Sequence, residues 1–323
     1  MRIVAGLLCA SLAVLCGSQV QAQDYPTKPI RVLVPYAPGG FVDVAARIIA
    51  QKLQERLGQQ VIVENRAGGN GFIGTTAGAK AAPDGYTLLT AHTGEFAVSP
   101  AVFKDIPYDL DRDFETISMV SIAPMLVAVN AKGPVQSIPD LIAAAKAKPG
   151  TIGMGTPGTA SINHLAGEWL ADAAGVKFLH VPYKGGAPAG VAVAGGEVPM
   201  GIMAISSVMA QIQAGRVKPL AVTTAKRSAQ FKDWPTVQEA GGIKDVDAAI
   251  WTGLFAPKGT PKAILDKLQT EMAAVLASPD VREKFAQGGA DTGNMSSAEF
   301  VAMIKRELAA YRAIVQKANI KPE

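Results

Sequence analysis

The sequence predicts an α/β protein, and three observations carry that prediction. Short apolar runs of strand length alternate with amphipathic stretches of helix length. Twice, a strand runs through a loop of Gly, Pro or Thr straight into a helix start, at 34–43 and again at 150–164. Roughly 300 residues follow the N-terminal segment, enough for one large or two medium domains.

Ile30–Val34 reads as the first strand. Apolar residues at 44, 45, 48, 49, 53 and 57 then form a helical stripe, which Gly58 closes. Strands are expected at 61–64 and, after the turn Pro83-Asp84-Gly85, at 86–90. Residues 117–129 form a long apolar segment that Pro124 is expected to break. Helices at 138–147, 162–174 and 188–194 alternate with strands at 151–154, 178–181 and 198–203. Strands at 219–223 and 250–256 precede helices at 262–277, 279–285 and 298–317.

Residues 1–22 read as an export signal. Arg2 is the basic start, 3–16 an apolar run too short to span a bilayer, and Val20-Gln21-Ala22 the cleavage site, placing the cut before Gln23. A lipoprotein signal at Cys16 or Cys9 is the alternative, but bulky Leu15 and Leu8 stand where that processing wants a small residue. Both cysteines lie within this segment, so the mature chain excludes disulfides, thiolate nucleophiles and Cys-ligated zinc. The expected location is the periplasm. The formal charge of +4 becomes +3 once Arg2 is removed, and the basic residues are dispersed, which argues against nucleic acid as a partner.

The loop from Pro35 to Asp43 contains no Ser, Cys, His or Lys. At a helix start, its backbone N–H groups suit an anion. Gly39 and Gly40 supply that backbone, with Asp43 as cap and partner of Arg47 one turn on. An ordinary αβ turn is the competing reading. The stretch from Gly69 to Gly74 is a literal G-x-G-x-x-G, but the following strand ends in Ala91-His92 without the acid a dinucleotide site requires. The second polar loop, from Thr156 to Ser161, offers hydroxyls and N–H groups, with helix capping by Ser161 as the alternative. Ser161 and His164 invite a hydrolase reading, yet no G-x-S-x-G elbow surrounds the serine. His92, His164 and His180 are too few and scattered to argue for a metal. No cofactor, no metal and no catalysis are expected.

A chain-wide set of motifs then points to a family. It comprises Tyr25-Pro26-Thr27-Lys28-Pro29-Ile30, the Pro35–Gly40 loop with Asp43 and Arg47, Asn65-Arg66, and Pro83-Asp84-Gly85-Tyr86-Thr87. His164-Leu165 with Glu168, the run from His180 to Gly185, Pro235-Thr236-Val237 with Glu239-Ala240-Gly241, and Trp251-Thr252-Gly253-Leu254 complete it. The chain resembles the Bug-type extracytoplasmic solute-binding receptors of tripartite tricarboxylate transporters. The resemblance implies a two-domain periplasmic binding protein that closes like a flytrap, with strands crossing between the domains. The implied division is a signal at 1–22, a discontinuous domain of 23–123 plus 225–323, and a second domain of 124–224. It implies a small carboxylate as ligand, inner-membrane permease subunits as partners, and a monomer. A receptor that signals to a sensor partner is the alternative role. The implied ligand contacts are Tyr36, Ala37, Gly39, Gly40, Thr156, Gly158, Thr159 and Ser161, with Asn70 and Thr93 at the first-domain rim. Ala160 and Ser161 stand where the family usually carries a glycine and a threonine. Pro199 stands where an acidic residue is frequent, which lowers an amino acid as ligand. Phe41 and Phe72, flanking the first loops, lean the choice toward an aromatic carboxylate, with core packing as the alternative.

Overall fold

The computed structural model describes residues 25–228, 230–293 and 295–321. The signal segment and its cleavage site lie outside them. Ten strands are found among the described residues: β1 (Ile30–Val34), β2 (Val61–Asn65), β3 (Thr87–His92), β4 (Phe114–Asn130), β5 (Gly153–Thr156), β6 (Leu179–Pro182), β7 (Met200–Ala204), β8 (Val217–Val222), β9 (Ala249–Pro257) and β10 (Asp291–Thr292). Eight of them run in the order β2-β1-β3-β9-β4-β7-β5-β6, with β8 and β10 also paired to β4.

The chain divides into two α/β halves. In the first, alternation along the strands sends side chains to opposite faces of the sheet. Val32, Val34, Leu88 and Leu254 pack under helices Phe41–Leu57 and Lys262–Ala277. Leu33, Leu89 and Phe255 face the other way, toward helix Ser297–Lys317. The second half repeats the scheme. Met125, Val127, Met154 and Ile202 pack under helices Ile138–Ala147 and Ile162–Ala174, while Leu126, Ala128 and Met203 pack under Gly186–Gly195 and Ile205–Gln213.

The halves share β4. Contrary to the sequence expectation, Pro124 does not break this strand. Residues 114–124 pair with β9, and from Met125 onward the partners are β7 and β8. A proline has no N–H to donate, and here it stands where the chain changes partners, so no continuous ladder is interrupted. Thr223, fully buried, stitches the exchange. Its hydroxyl donates to the Ala248 carbonyl at 2.7 Å and accepts from Met125 N at 3.2 Å.

The helix expected from residue 44 begins at Phe41, and Gly58 ends it in the left-handed conformation. Helix Ile205–Gln213, directly after β7, lies in a stretch with no helix expected from the sequence. Residues 237–248 join the second core through Val237, Ile243, Val246 and Ala248.

Candidate functional site

Strand register locates the site. β1 is parallel to β3, β3 antiparallel to β9, and β9 antiparallel to β4, so β1 and β3 run the same way as β4. Their carboxyl ends therefore point along β4 toward Pro124. In the other half, β7 runs against β4 with Ala204 opposite Met125, and β5 is parallel to β7. The carboxyl ends of β5 and β7 point toward the same crossing from the opposite side. In open α/β sheets ligands bind beyond the carboxyl ends of the strands. Here two such ends face each other, and the loops at 35–40 and 157–161 emerge from them.

The first jaw is held by charges. Gly39 adopts φ +85°, and its N–H donates to Asp43 Oδ2 at 2.8 Å. Asp43 is almost fully buried and also accepts from Arg47 Nε at 2.9 Å and Asn65 Nδ2 at 2.8 Å. Burial opposes its charge, but hydrogen bonds from Arg47, Gly39 and Asn65 hold its pKa below the ordinary value. Two expectations are corrected. Asp43 is not the helix cap; that position is Gly40, which has no side chain to cap with. The Gly39 N–H is engaged within the protein, so the N–H groups left for an anion at the helix start are those from Gly40 through Asp43.

Behind the loop lies a polar cluster. Glu95 is fully buried and accepts from the Tyr36 hydroxyl, while Glu95 Oε2 lies 2.9 Å from His92 Nδ1. Burial disfavours the Glu95 carboxylate, but His92 outweighs it and the pKa is lowered. Burial likewise opposes charge on His92, and Glu95 overcomes it, raising that pKa. Both shifts favour the charged forms of the pair, while the Gly94 N–H also lies 2.8 Å from the same His92 Nδ1, and Tyr36 is pushed well above its usual range by burial and by Glu95. Gly71 packs on this cluster, where a Cβ would collide with Glu95. A Cβ at Gly74 would come within 2.6 Å of Pro35 Cα. The G-x-G-x-x-G motif thus serves close packing behind the first loop.

The second jaw is held by hydroxyls and a pair of stacked imidazoles. Thr156 is fully buried, with its hydroxyl 2.7 Å from His180 Nε2. His180 stacks on His164, ring centroids 3.5 Å apart and 5° from parallel. His164 Nδ1 accepts from Ala160 N at 3.2 Å. Burial, and then His180, push the His164 pKa down to about 3, so its ring is neutral. Ser161 is the helix cap: its hydroxyl accepts from His164 N at 3.2 Å and donates to the Gly158 carbonyl at 2.7 Å. These bonds go to backbone groups, which gives the Ser161–His164 hydrolase reading no support. Ala160 holds φ +56°, the left-handed conformation that glycine adopts without strain. Thr159 lines a groove of about 500 Å³, with His164, Glu168 and Lys317.

The other sequence-selected residues divide. Ala37, Gly40 and Asn70 are exposed at the first jaw, Asn70 with φ 53°. Thr93 is not at a rim: it is fully buried, accepts from Trp251 N at 3.0 Å and donates to the Ala249 carbonyl at 3.2 Å. Phe72 and Phe41 are both partly buried and packed against a core, Phe72 edge-on to Phe103 and Tyr108 at 5.5 and 5.8 Å. Pro199 lies beside the far end of β4, where its carbonyl accepts from Asn130 N. An acid there would stand about 16 Å from the crossing at 3.3 Å per residue, so Pro199 carries no information about an amine. Two further helix starts in the second jaw lack side-chain caps as the first-jaw helix does: Gly186–Gly195, expected from the sequence only from 188, and Ile205–Gln213, which the sequence reading missed. Gly185-Gly186 and Ser206-Ser207, each just after a strand, were the available signals.

The comparisons agree with this geometry. Residues 45–320 match the family described as tripartite tricarboxylate transporter family receptor. The chain belongs to this family. It is similar to the protein BugT of Bordetella pertussis, 36% identical over 98% of this chain and 97% of the relative. Among solved structures it is similar to the periplasmic binding protein BugD, with 35% identity, TM-score 0.73, and coverage of 93% of this chain and 100% of that one. It is also similar to R. palustris Rpa4515 with adipate, with 34% identity, TM-score 0.79, and the same coverage. The Bug-type resemblance and the two-domain binding-protein fold therefore stand. Among the described residues no helix is long and apolar enough to cross a membrane, and no His, Cys, Asp and Glu cluster suits a metal ion.

Proposed function

We propose that this receptor captures a small carboxylate, with a dicarboxylate favoured, in the cleft between its two halves and delivers it to a membrane permease without chemical change. The observation that carries the reading is the meeting of strand carboxyl ends at the Pro124–Met125 crossing. Three helices without side-chain caps start in the loops beyond them. Their first-turn N–H groups carry partial positive charge and favour an anion. The adipate held by Rpa4515 supports the ligand class.

The proposed contacts are Tyr36, Ala37, Gly40 and Asn70 in the first jaw, and Thr156, Gly158, Thr159 and Ser161 in the second. The hydroxyls of Tyr36, Thr156 and Ser161 act mainly by holding the loops. The proposed division is a first domain of 23–123 plus the C-terminal part and a second of 124–224, with the 237–248 segment packed on the second domain. Export to the periplasm follows from the N-terminal signal, cut before Gln23, and the receptor works as a monomer. Phe41 and Phe72 both pack against a core, which weakens the support for an aromatic ligand.

The test is thermal denaturation of ligand-free mature protein against adipate, malate, citrate, glutamate and benzoate. A saturable rise in melting temperature with at least one acid, recovered unchanged after long incubation, is expected. No rise with any acid would remove the carboxylate reading, and turnover would remove the receptor reading.

A further inference from the structure

The first turn of helix Ile162–Ala174 contains a buried amide with one end unpaired. Asn163 is only 4% exposed, and its Nδ2 finds no hydrogen-bond partner. The neutral –NH₂ group is a two-fold donor, and leaving such a group buried without an acceptor is destabilising. The other asparagines with buried surface are treated differently. Asn130 donates to the carbonyls of Val193 and Ala194, and Asn65 to Asp43 and the Tyr36 carbonyl.

The direction of this amide follows from its helix. Gly167 marks the face that lies on the sheet, since a Cβ there would collide with Met154 of β5 and approach Ile202 of β7. Asn163 is four residues earlier on that face, about 6 Å nearer the helix start at 1.5 Å per residue. The neighbouring faces are otherwise occupied: His164 stacks on His180, while Ile162 and Leu165 pack toward the core shared with Trp251. Helical side chains lean toward the helix N-terminus. The Asn163 amide therefore leans past the last residues of β5 and β7, toward the crossing where the two jaws face each other.

We infer that Asn163 is a ligand-binding residue whose side-chain amide donates to a carboxylate oxygen of the bound acid from the floor of the second jaw. The inference rests on the carboxylate reading above. It adds to that reading a donor that is neutral and pre-buried, so it strengthens as water leaves the closing cleft.

The experiment compares affinity with apo stability in the full mature receptor. Adipate is the first probe, followed by whichever acid of the panel shifts the wild type most. Asn163→Leu keeps the approximate volume and removes the donor. We expect its dissociation constant to rise at least tenfold while its ligand-free melting temperature is unchanged or higher, because an unpaired buried amide has been removed. Affinity within twofold of wild type overturns the inference, as does a lowered melting temperature with unaltered affinity. If the leucine variant does not fold, Asn163→Ala, which also removes the donor, is measured instead and judged on affinity: a dissociation constant within twofold of wild type overturns the inference. A wild type that responds to no acid of the panel defeats the carboxylate reading itself, which is distinct from a responsive wild type matched by its variant.

Discussion

The two jaws occupy equivalent places in the two halves, yet they are built from opposite chemistry. Behind the first loop, buried groups are ionised: Asp43 with Arg47, and Glu95 with His92. Behind the second, the loop is tied by the hydroxyls of Thr156 and Ser161 and by a neutral His164 ring that stacks on His180. The lesson is that a loop offering N–H groups to an anion can be held rigid in two ways. Ions tie a loop strongly but must balance, or the site would repel its ligand. Neutral donors and acceptors add no net field but tolerate little change in protonation.

Glu95→Ala should break the charged side most severely. It leaves His92 and the Tyr36 hydroxyl buried without their acceptor, and removing one member of a buried pair costs about 3–5 kcal/mol. Urea unfolding should show a loss of that order. A loss below about 1 kcal/mol, the size of an exposed pair, would mean the first jaw does not rest on ions.

Acidity sharpens the contrast because the two histidines have opposite signs. His164 is lowered from 6.5 to about 3. Its contribution is present above the unfolded value and is lost as pH falls from about 6.5 toward 3. His92 is raised. Its contribution is complete below about 6.5 and is lost as pH rises through the folded value. Glu95, being lowered, also loses its contribution on the acid side. Melting temperature followed from pH 3 to pH 9 should therefore show His164→Gln flattening the acid limb alone, and His92→Gln flattening the neutral-to-alkaline limb as well as, by releasing Glu95, altering the acid limb. A His92→Gln variant that leaves the neutral-to-alkaline limb unchanged would remove the distinction between the jaws.

The smallest effect concerns Ala160. Its left-handed backbone costs an L-residue about 1–2 kcal/mol, and glycine returns part of that through its greater unfolded freedom. Ala160→Gly should stabilise by about 0.5–1 kcal/mol, seen as a small rise in melting temperature. A drop would show that the methyl group, which packs against the core shared with Trp251, matters more than the strain.

Much of this was legible in the chain. Apolar alternation and stripes found nearly all strands and long helices, because local burial periodicity is written residue by residue. The two strand–loop–helix units were found for the same reason, and the motif set identified the family. Errors came where a residue's partner is distant. Pro124 reads as a breaker until β4 is seen changing neighbours there. Thr93 reads as a rim residue until Trp251 is seen against it. Glu95 gave no signal at all, since nothing local distinguishes a buried carboxylate from a solvated one.

The sequence by itself therefore determined the α/β class, the family, and the two loops that begin the site, all of which depend on local pattern. Only the tertiary structure decided which groups in those loops are free. The Gly39 N–H is taken by Asp43 and the Ser161 hydroxyl by its own helix start, while the Asn163 Nδ2 group has no partner. Spacing along the chain suggests such local bonds, but which of the competing bonds form, and which buried group is left over, depends on how the surrounding elements pack.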